Sequence, residues 1–175
     1  MIGTLATEAG RQGIITYMMT PDKDYGQLVS DKVFMYRPKH TGGFEVMGVD
    51  EVKAKFDIQS PAQVIDMLGL MGDSSDNIPG CPGVGEKTAQ KLIAEFGSIE
   101  NLLEHTDQLK GALKTKVETN REMITFSKFL ATIKIDVPIQ LDMDSLVREQ
   151  ADEDSLRQIF EELEFRTLID RVLKK

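Results

Sequence analysis

Two acidic pairs and one glycine-rich loop hold the residues of this chain whose types and spacing suit chemistry. Asp22 and Asp24 alternate in the turn Thr20-Pro21-Asp22-Lys23-Asp24, and Asp73 and Asp76 open the stretch GDSSDNIPGCPGVGEKTA at residues 72–89. Carboxylates are hard oxygen ligands, so four of them with no histidine or cysteine partner suit Mg²⁺ or Mn²⁺ rather than Zn²⁺. Gathered in one cleft they would repel and raise one another's pKa unless cations were bound, and a two-metal site would activate water and stabilise the leaving oxygen of a phosphodiester. Gly80, Gly83 and Gly85 expose backbone N–H groups, with Val84 between the last two, and Lys87 and Thr88 follow at a helix start. Bare amides before a helix N-terminus suit a phosphate. A nucleic acid backbone cut at a metal site makes both demands at once. Against this stands the plainer reading, in which an aspartate beside Gly or Pro caps a turn and a glycine between helices supplies positive φ.

Several other motifs fail at named residues. Glu86 separates Gly85 from Lys87, which breaks the Gly-Lys-Ser/Thr of an NTPase phosphate loop, and Thr88 stands where a dinucleotide fingerprint needs its third glycine. The calcium-loop template fails because Gly26 falls on its fifth position from Asp22. Pro82-Gly83-Val84-Gly85 between two helices instead resembles the helix-hairpin-helix element, which grips one DNA strand through backbone amides without reading bases.

The elements that must position these residues follow from pattern. Ile2–Gln12 reads as a helix stopped by Gly13, and Ile14–Met19 as a buried parallel strand. Asp24–Val29 reads as a short helix at that strand's carboxyl end, where ligands sit in open α/β sheets. Val33–Arg37 and Phe44–Gly48 flank a Gly-containing loop and form a hairpin. Ser60-Pro61-Ala62-Gln63 predicts an N-cap, a proline at N1 and a capping box, followed by an apolar helix ending at Gly72. Further helices are predicted over Thr88–Phe96, with Gly97 as stop, after Ser98, and within Lys110–Ala131. Asp73 and Asp76, three apart, would face one side if on a helical turn. Val137-Pro138-Ile139 breaks the pattern, and Asp154–Leu173 reads as an amphipathic helix with Leu156, Ile159, Phe160 and Leu163 inward. The chain is thus expected to divide into an α/β part over residues 1–58 and a helical part over 59–175.

Composition limits the function classes. A net charge of −8 argues against a protein that grips DNA over its whole surface, but residues 80–135 carry 8 basic and 7 acidic residues and are the least acidic third. Cys81, the single cysteine, excludes an internal disulfide and a cysteine-rich zinc site. His40 and His105 lie far apart in sequence and read as surface residues. No apolar run is long enough to span a bilayer, so a cytoplasmic setting without membrane partners is expected.

Four stretches, TPDKDYGQLVSD, MYRP, QVIDMLGLMGDSSDNIPGCPGVGEKTAQKLIAEFGSIENLL and SKFLATIKIDVP, together resemble the 5′ nuclease domain of bacterial DNA polymerase I, kin to flap endonucleases, in register from about Ile2 to Leu173. The resemblance implies an α/β, PIN-like parallel sheet, incomplete here, joined to a helical helix-hairpin-helix region. It implies Mg²⁺- or Mn²⁺-dependent cleavage of 5′ flaps and 5′ ends of DNA or RNA, at RNA–DNA primer junctions in replication and repair, with two ions. It makes Asp22, Asp24, Asp73 and Asp76 metal-site and catalytic residues. Gly80, Gly83, Val84, Gly85, Lys87 and Thr88 become the DNA-binding set, with a K⁺ held there by carbonyls, and Cys81 a packing residue. It also implies that a strand, a basic helical arch and a Glu-Ala-Asp-Asp cluster precede Ile2 and that further polymerase domains follow Lys175, so the chain alone is expected to bind duplex DNA weakly and to be inactive or weak as a nuclease. Two rivals from other classes are a non-catalytic helix-hairpin-helix DNA-binding module and a small-molecule phosphohydrolase using Asp22 and Asp24 as nucleophile and acid.

Overall fold

The computed structural model describes residues 1–39 and 41–173, so the expectation for His40 lies outside the described residues. Two compact units divide the chain, Met1–Leu141 and Asp142–Lys175. In the first, helix α1 (Ile2–Arg11) leads into strand β1 (Thr16–Met19), and a 3-10 turn over Lys23–Leu28 follows it. Strand β2 (Val33–Pro38) runs parallel to β1, pairing Thr16 with Val33 and Met19 with Tyr36. Strand β3 (Phe44–Met47) returns antiparallel, pairing Tyr36 with Val46 and Pro38 with Phe44. The sheet order is β1-β2-β3.

One face of this sheet is core and the other is bare. Met18, Val33, Met35 and Met47 point inward and are at most 5% exposed. On the opposite face Tyr17 stacks on Phe34 and Tyr36 on Phe44, and Tyr17, Met19, Phe44 and Val46 are each about half exposed or more. The strand expected to be buried on both faces is therefore an edge strand buried on one. The alternation in β1 was hidden in the sequence because both of its faces carry apolar residues.

Helix α2 (Val49–Phe56) follows the hairpin, with the Glu51 carboxylate accepting from the Gly48 N–H at 2.8 Å. A 3-10 turn at Pro61–Gln63 then opens α3 (Val64–Met71). The expected capping box forms between Ser60 and Gln63, with Gln63 Oε1 accepting from the Ser60 N–H at 3.2 Å. Helices α4 (Glu86–Phe96), α5 (Ile99–Glu104), α6 (Gly111–Thr119) and α7 (Arg121–Ala131) complete the unit. Ser98 Oγ caps α5 by accepting from Asn101 N–H, as its sequence predicted.

α3 is the central element. Val64, Met67, Leu68 and Leu70 are fully buried. Gly69 lets α7 approach closely, since a Cβ there would lie 2.7 Å from Ile99 Cδ1 and 3.1 Å from Lys128 Cα. Buried Asp66 accepts from the Ile99 N–H at 2.9 Å and from Lys128 Nζ at 2.6 Å, and Lys128 also reaches Glu100 at 2.7 Å. This polar knot ties α3, α5 and α7 together. Burial alone would depress the Lys128 ammonium, but its bonds to Asp66 and Glu100 outweigh that and raise it.

The expected boundary at residues 58 and 59 is crossed by the packing. A Cβ on Gly26 would touch Val52, Phe56 and Val64 together, so the 3-10 turn, α2 and α3 share one core. Hydrogen bonds also cross it, from Gln90 Nε2 to the Phe56 carbonyl and from Gln27 Nε2 to the Ala131 carbonyl. Cys81 is buried among these apolar residues, a packing residue as expected.

The second unit contains α8 (Glu153–Glu162), capped by Asp152 accepting from Ser155 N–H, then α9 (Arg166–Leu168) and a π-helical turn at Ile169–Leu173. The single predicted helix is broken at Glu164, which takes φ 56. Ile159 and Leu163 are about half exposed rather than inward.

Candidate metal centre

Asp24, Asp73 and Asp76 each present a carboxylate oxygen within 4.8 Å of the other two. Asp24 comes from the 3-10 turn at the carboxyl end of β1, the place where open α/β sheets hold ligands. Asp73 and Asp76 come from a loop that is not the helical turn their spacing suggested. Asp73 and Ile78 form an antiparallel bridge, with Asp73 N–H to Ile78 O at 2.9 Å and the reverse bond at 2.8 Å. Asn77 closes the loop at φ 57, a conformation asparagine tolerates better than most residues.

Asp22 lies outside this mutually close set but remains a neighbour of Asp24. It is the N-cap of the 3-10 turn, and its Oδ1 accepts from Asp24 N–H at 3.0 Å. The sequence expected all four aspartates to converge. The structure gathers three and uses the fourth to fix the backbone of one of them, because alternating residues in a turn project to different sides. Asp24, 8% exposed, lies with Asp73 and Asp76 as well as beside Asp22.

The cluster is electrostatically strained in a way that suits a cation. Burial, then the charges of Asp22, Asp73 and Asp76, push the Asp24 carboxyl up to about 6, against the pull of Lys23. Its Oδ1 is buried and accepts no hydrogen bond among the described residues. Asp73 behaves oppositely: burial would raise it, but its bonds from Lys23 and Ser75 hold it below the usual carboxylate range. The Lys23 ammonium forms an ion pair with Asp73, and that bond, reinforced by Asp24 and Asp76, raises its pKa over the opposing effect of burial. An orphaned, buried carboxylate oxygen among all-oxygen donors fits a hard divalent ion. Lys23 supplies the compensating charge from within the chain.

The glycine loop is partly built into this centre. Gly72 and Gly80 lie back to back: a Cβ on Gly80 would fall 2.3 Å from Gly72 N, and one on Gly72 2.6 Å from the Ile78 carbonyl oxygen. Both take positive φ. The Gly80 N–H donates to buried Ser127 Oγ at 3.0 Å. Gly80 therefore clamps the acidic loop instead of facing a ligand. Val84 is also turned inward, 4% exposed, and its N–H donates to the Cys81 carbonyl. Thr88 is half-buried with its N–H on the Gly85 carbonyl. Gly83, Gly85 and Lys87 remain at the surface. The N–H groups of Gly83, Gly85, Glu86 and Lys87 have no acceptor among the described residues, the last three opening α4. The Gly83 carbonyl accepts from Lys116 Nζ at 3.3 Å. His105 is half-buried, with Nδ1 2.9 Å from the Asn101 carbonyl oxygen, and takes no part in this region.

Sequence reasoning missed the cations around the acids. Lys23, Arg37 and Lys55 line a cleft of about 420 Å³ with Pro21, Asp22, Ser75 and Asp76. Lys23 was visible between its two aspartates, but no spacing rule joins residues 23, 37 and 55.

An acidic cluster at the end of a small mixed sheet, beside a glycine loop between helices, is an arrangement of the 5′ nuclease fold. The chain superposes on T5 5′-exonuclease with divalent zinc bound, at a TM-score of 0.66 and 21% identity over 74% of this chain and 47% of that one. It also matches the catalytic core of Rad2 in complex with a DNA substrate, at a TM-score of 0.54 and 16% identity over 91% of this chain and 54% of that one. Residues 59–154 match the family described as 5′-3′ exonuclease, C-terminal SAM fold, and the chain belongs to that family. DNA polymerase I of Bacillus subtilis is 43% identical over 174 residues, which is 98% of this chain and 20% of that protein. The thermostable DNA polymerase I of Thermus filiformis is 41% identical over 170 residues, 97% of this chain and 20% of that protein. The chain thus spans about a fifth of the length of these curated relatives. No helix among the described residues is long and apolar enough to cross a membrane.

Proposed function

We propose that this chain carries part of the centre of a divalent-metal-dependent 5′ nuclease, which hydrolyses phosphodiesters at the 5′ ends and flaps of DNA and at RNA–DNA primer junctions. Its setting would be a bacterial cytoplasmic DNA polymerase. The observation that carries the reading is the convergence of Asp24, Asp73 and Asp76, with a buried Asp24 oxygen that no group among the described residues satisfies. A divalent cation, Mg²⁺ or Mn²⁺, would supply Lewis acidity toward the phosphoryl oxygen and lower the pKa of water.

Each residue then has its own task. Asp24, Asp73 and Asp76 hold the cation. Asp22 fixes the Asp24 backbone and faces the adjoining cleft, where a second ion would draw on it. Lys23 neutralises Asp73 and, lining the adjoining cleft, would meet a substrate phosphate there. On the helical side, the unpaired amides from Gly83 to Lys87, with the Lys87 ammonium, hold the DNA backbone without reading bases. A K⁺ at the carbonyls of this loop would compete with Lys116 for Gly83. The likeness to solved nucleases crystallised with divalent metal and with DNA supports the assignment of ligand classes.

Titration with Mn²⁺, followed by the electron paramagnetic resonance signal of the free ion, tests the centre. The expected result is stoichiometric uptake that Asp73→Asn removes. Failure of the unsubstituted chain to take up Mn²⁺ overturns the reading.

A further inference from the structure

The cleft lined by Lys23, Arg37 and Lys55 adjoins the three-carboxylate cluster through Asp76, which belongs to both, and of its three cations the metal centre leaves Arg37 and Lys55 without a use. They come from three elements. Lys23 follows β1, Arg37 lies near the carboxyl end of β2, and Lys55 sits in the last turn of α2. β1 and β2 are parallel, so both strands deliver residues to the end of the sheet where ligands gather.

Their charges are unequally compensated. Lys23 pairs with Asp73, and Arg37 Nε lies 3.2 Å from a Glu45 carboxylate oxygen. That contact is too poorly aligned to be a hydrogen bond, so the buried Arg37 Nε donates to no acceptor among the described residues. Lys55 forms no ion pair among the described residues, and its ammonium lies 5.6 Å from the centre of the Phe56 ring. Burial first, then Arg37 and Lys23, lower the Lys55 pKa, with Glu45 opposing. Asp22 and Asp76 line the same cleft, so among its three cations Lys55 is the positive charge left without an acidic partner. A volume of about 420 Å³ takes a nucleotide-sized group rather than a bare ion.

We propose that this cleft is a nucleic-acid phosphate subsite in which Lys55 and Arg37 hold a backbone phosphate beside the metal centre, making Lys55 a substrate-positioning residue. The inference rests on the nuclease reading given above and adds where the substrate lies. The phosphate is either the monoester at a 5′ terminus or an internal diester. Arg37 presents its guanidinium in a fixed fork and Lys55 a movable point charge, a combination that fixes one oxygen edge and follows the rest.

The test uses the whole chain in CaCl₂ and a fluorescent DNA duplex bearing a short 5′ single-stranded extension, with and without a 5′-phosphate. Affinity is read by anisotropy over a series of salt concentrations. Lys55→Gln is expected to weaken binding about fivefold to tenfold and to lower the salt slope by about one, while Lys55→Arg keeps the slope. Lys53→Gln, on the same helix, is the control and binds as the unsubstituted chain does. A loss confined to the phosphorylated duplex identifies the monoester, and an equal loss on both identifies the diester. Lys55→Gln binding both duplexes with unchanged affinity and slope overturns the subsite, while leaving the nuclease reading intact if Mn²⁺ uptake persists. Failure of the unsubstituted chain to bind either duplex overturns the subsite, and if Mn²⁺ uptake is also absent it overturns both.

Discussion

The acidic loop at residues 73–78 and the glycine loop that follows it are adjacent in sequence and opposite in how they use their polar groups. In the acidic loop the backbone is closed by its own bridge and the side chains are left wanting: three carboxylates crowd together, and one buried oxygen has no partner. In the glycine loop the side chains are absent or packed away, and it is the backbone that keeps donors free at Gly83, Gly85, Glu86 and Lys87. A single stretch thereby offers side-chain acceptors at one end and main-chain donors at the other. Gly72 and Gly80 are the hinge between the two regimes, because only without Cβ atoms can their backbones lie so close.

The sharpest way to break that contrast is at the hinge. Gly80→Ala places a methyl group against Gly72 at a positive φ, and we expect a loss of about 3 kcal/mol or more of stability, read by urea denaturation. The same change at Gly85 should cost less than about 1 kcal/mol, since its φ is −95 and nothing lies within 4 Å of the added Cβ. Equal losses at the two positions would dissolve the distinction between clamp and presented amide.

Next in size is the demand for a cation. Asp24→Asn should weaken Mn²⁺ binding by at least about tenfold, or roughly 1.4 kcal/mol, in isothermal titration calorimetry. It should also stabilise the cation-free chain, because it removes a charge that burial and three neighbouring aspartates disfavour. The same cause sets a pH dependence. The folded Asp24 carboxyl is raised from its ordinary 3.8 to about 6, so between those values the folded chain binds more protons than the unfolded one, and stability in EDTA falls as pH rises through that window. Asp73, held low, contributes in the other direction: its stabilisation is present above its ordinary value and is lost as pH falls below it. Urea midpoints measured from pH 3 to 7 with EDTA and with Mn²⁺ check both signs, and Mn²⁺ should flatten the upper limb.

The smallest expected effect separates the two members of the first acidic pair. Asp22→Ala removes the acceptor for the Asp24 N–H and should cost about 1 kcal/mol of stability, while Mn²⁺ affinity falls much less than in Asp24→Asn. Equal losses of Mn²⁺ affinity in the two variants would make Asp22 a ligand of equal standing.

How much of this could be seen in the residue string varied with the range of the interaction. Helix ends were legible wherever a local residue fixes them, as at Ser98 and Gly97. Asp24, Asp73 and Asp76 stood out because acids beside chain-breaking residues are conspicuous. Their geometry did not, because a spacing of three fits both a helical turn and a bridge-closed loop, and only the back-to-back glycines decide between them. Asp66 and Lys128 were invisible as a pair: they are 62 residues apart, on helices whose patterns advertise only apolar faces. Lys55 was hidden for the same reason, its neighbours Arg37 and Lys23 arriving from β2 and from the 3-10 turn after β1.

The uncovered face of the sheet has a practical consequence. Tyr17, Met19, Phe44 and Val46 give a folded molecule the apolar surface that dyes such as ANS recognise in partly denatured proteins. Dye fluorescence would therefore score this chain as molten even with every helix in place, and near-ultraviolet circular dichroism of the tyrosine and phenylalanine rings is the signal by which its folded state should be followed.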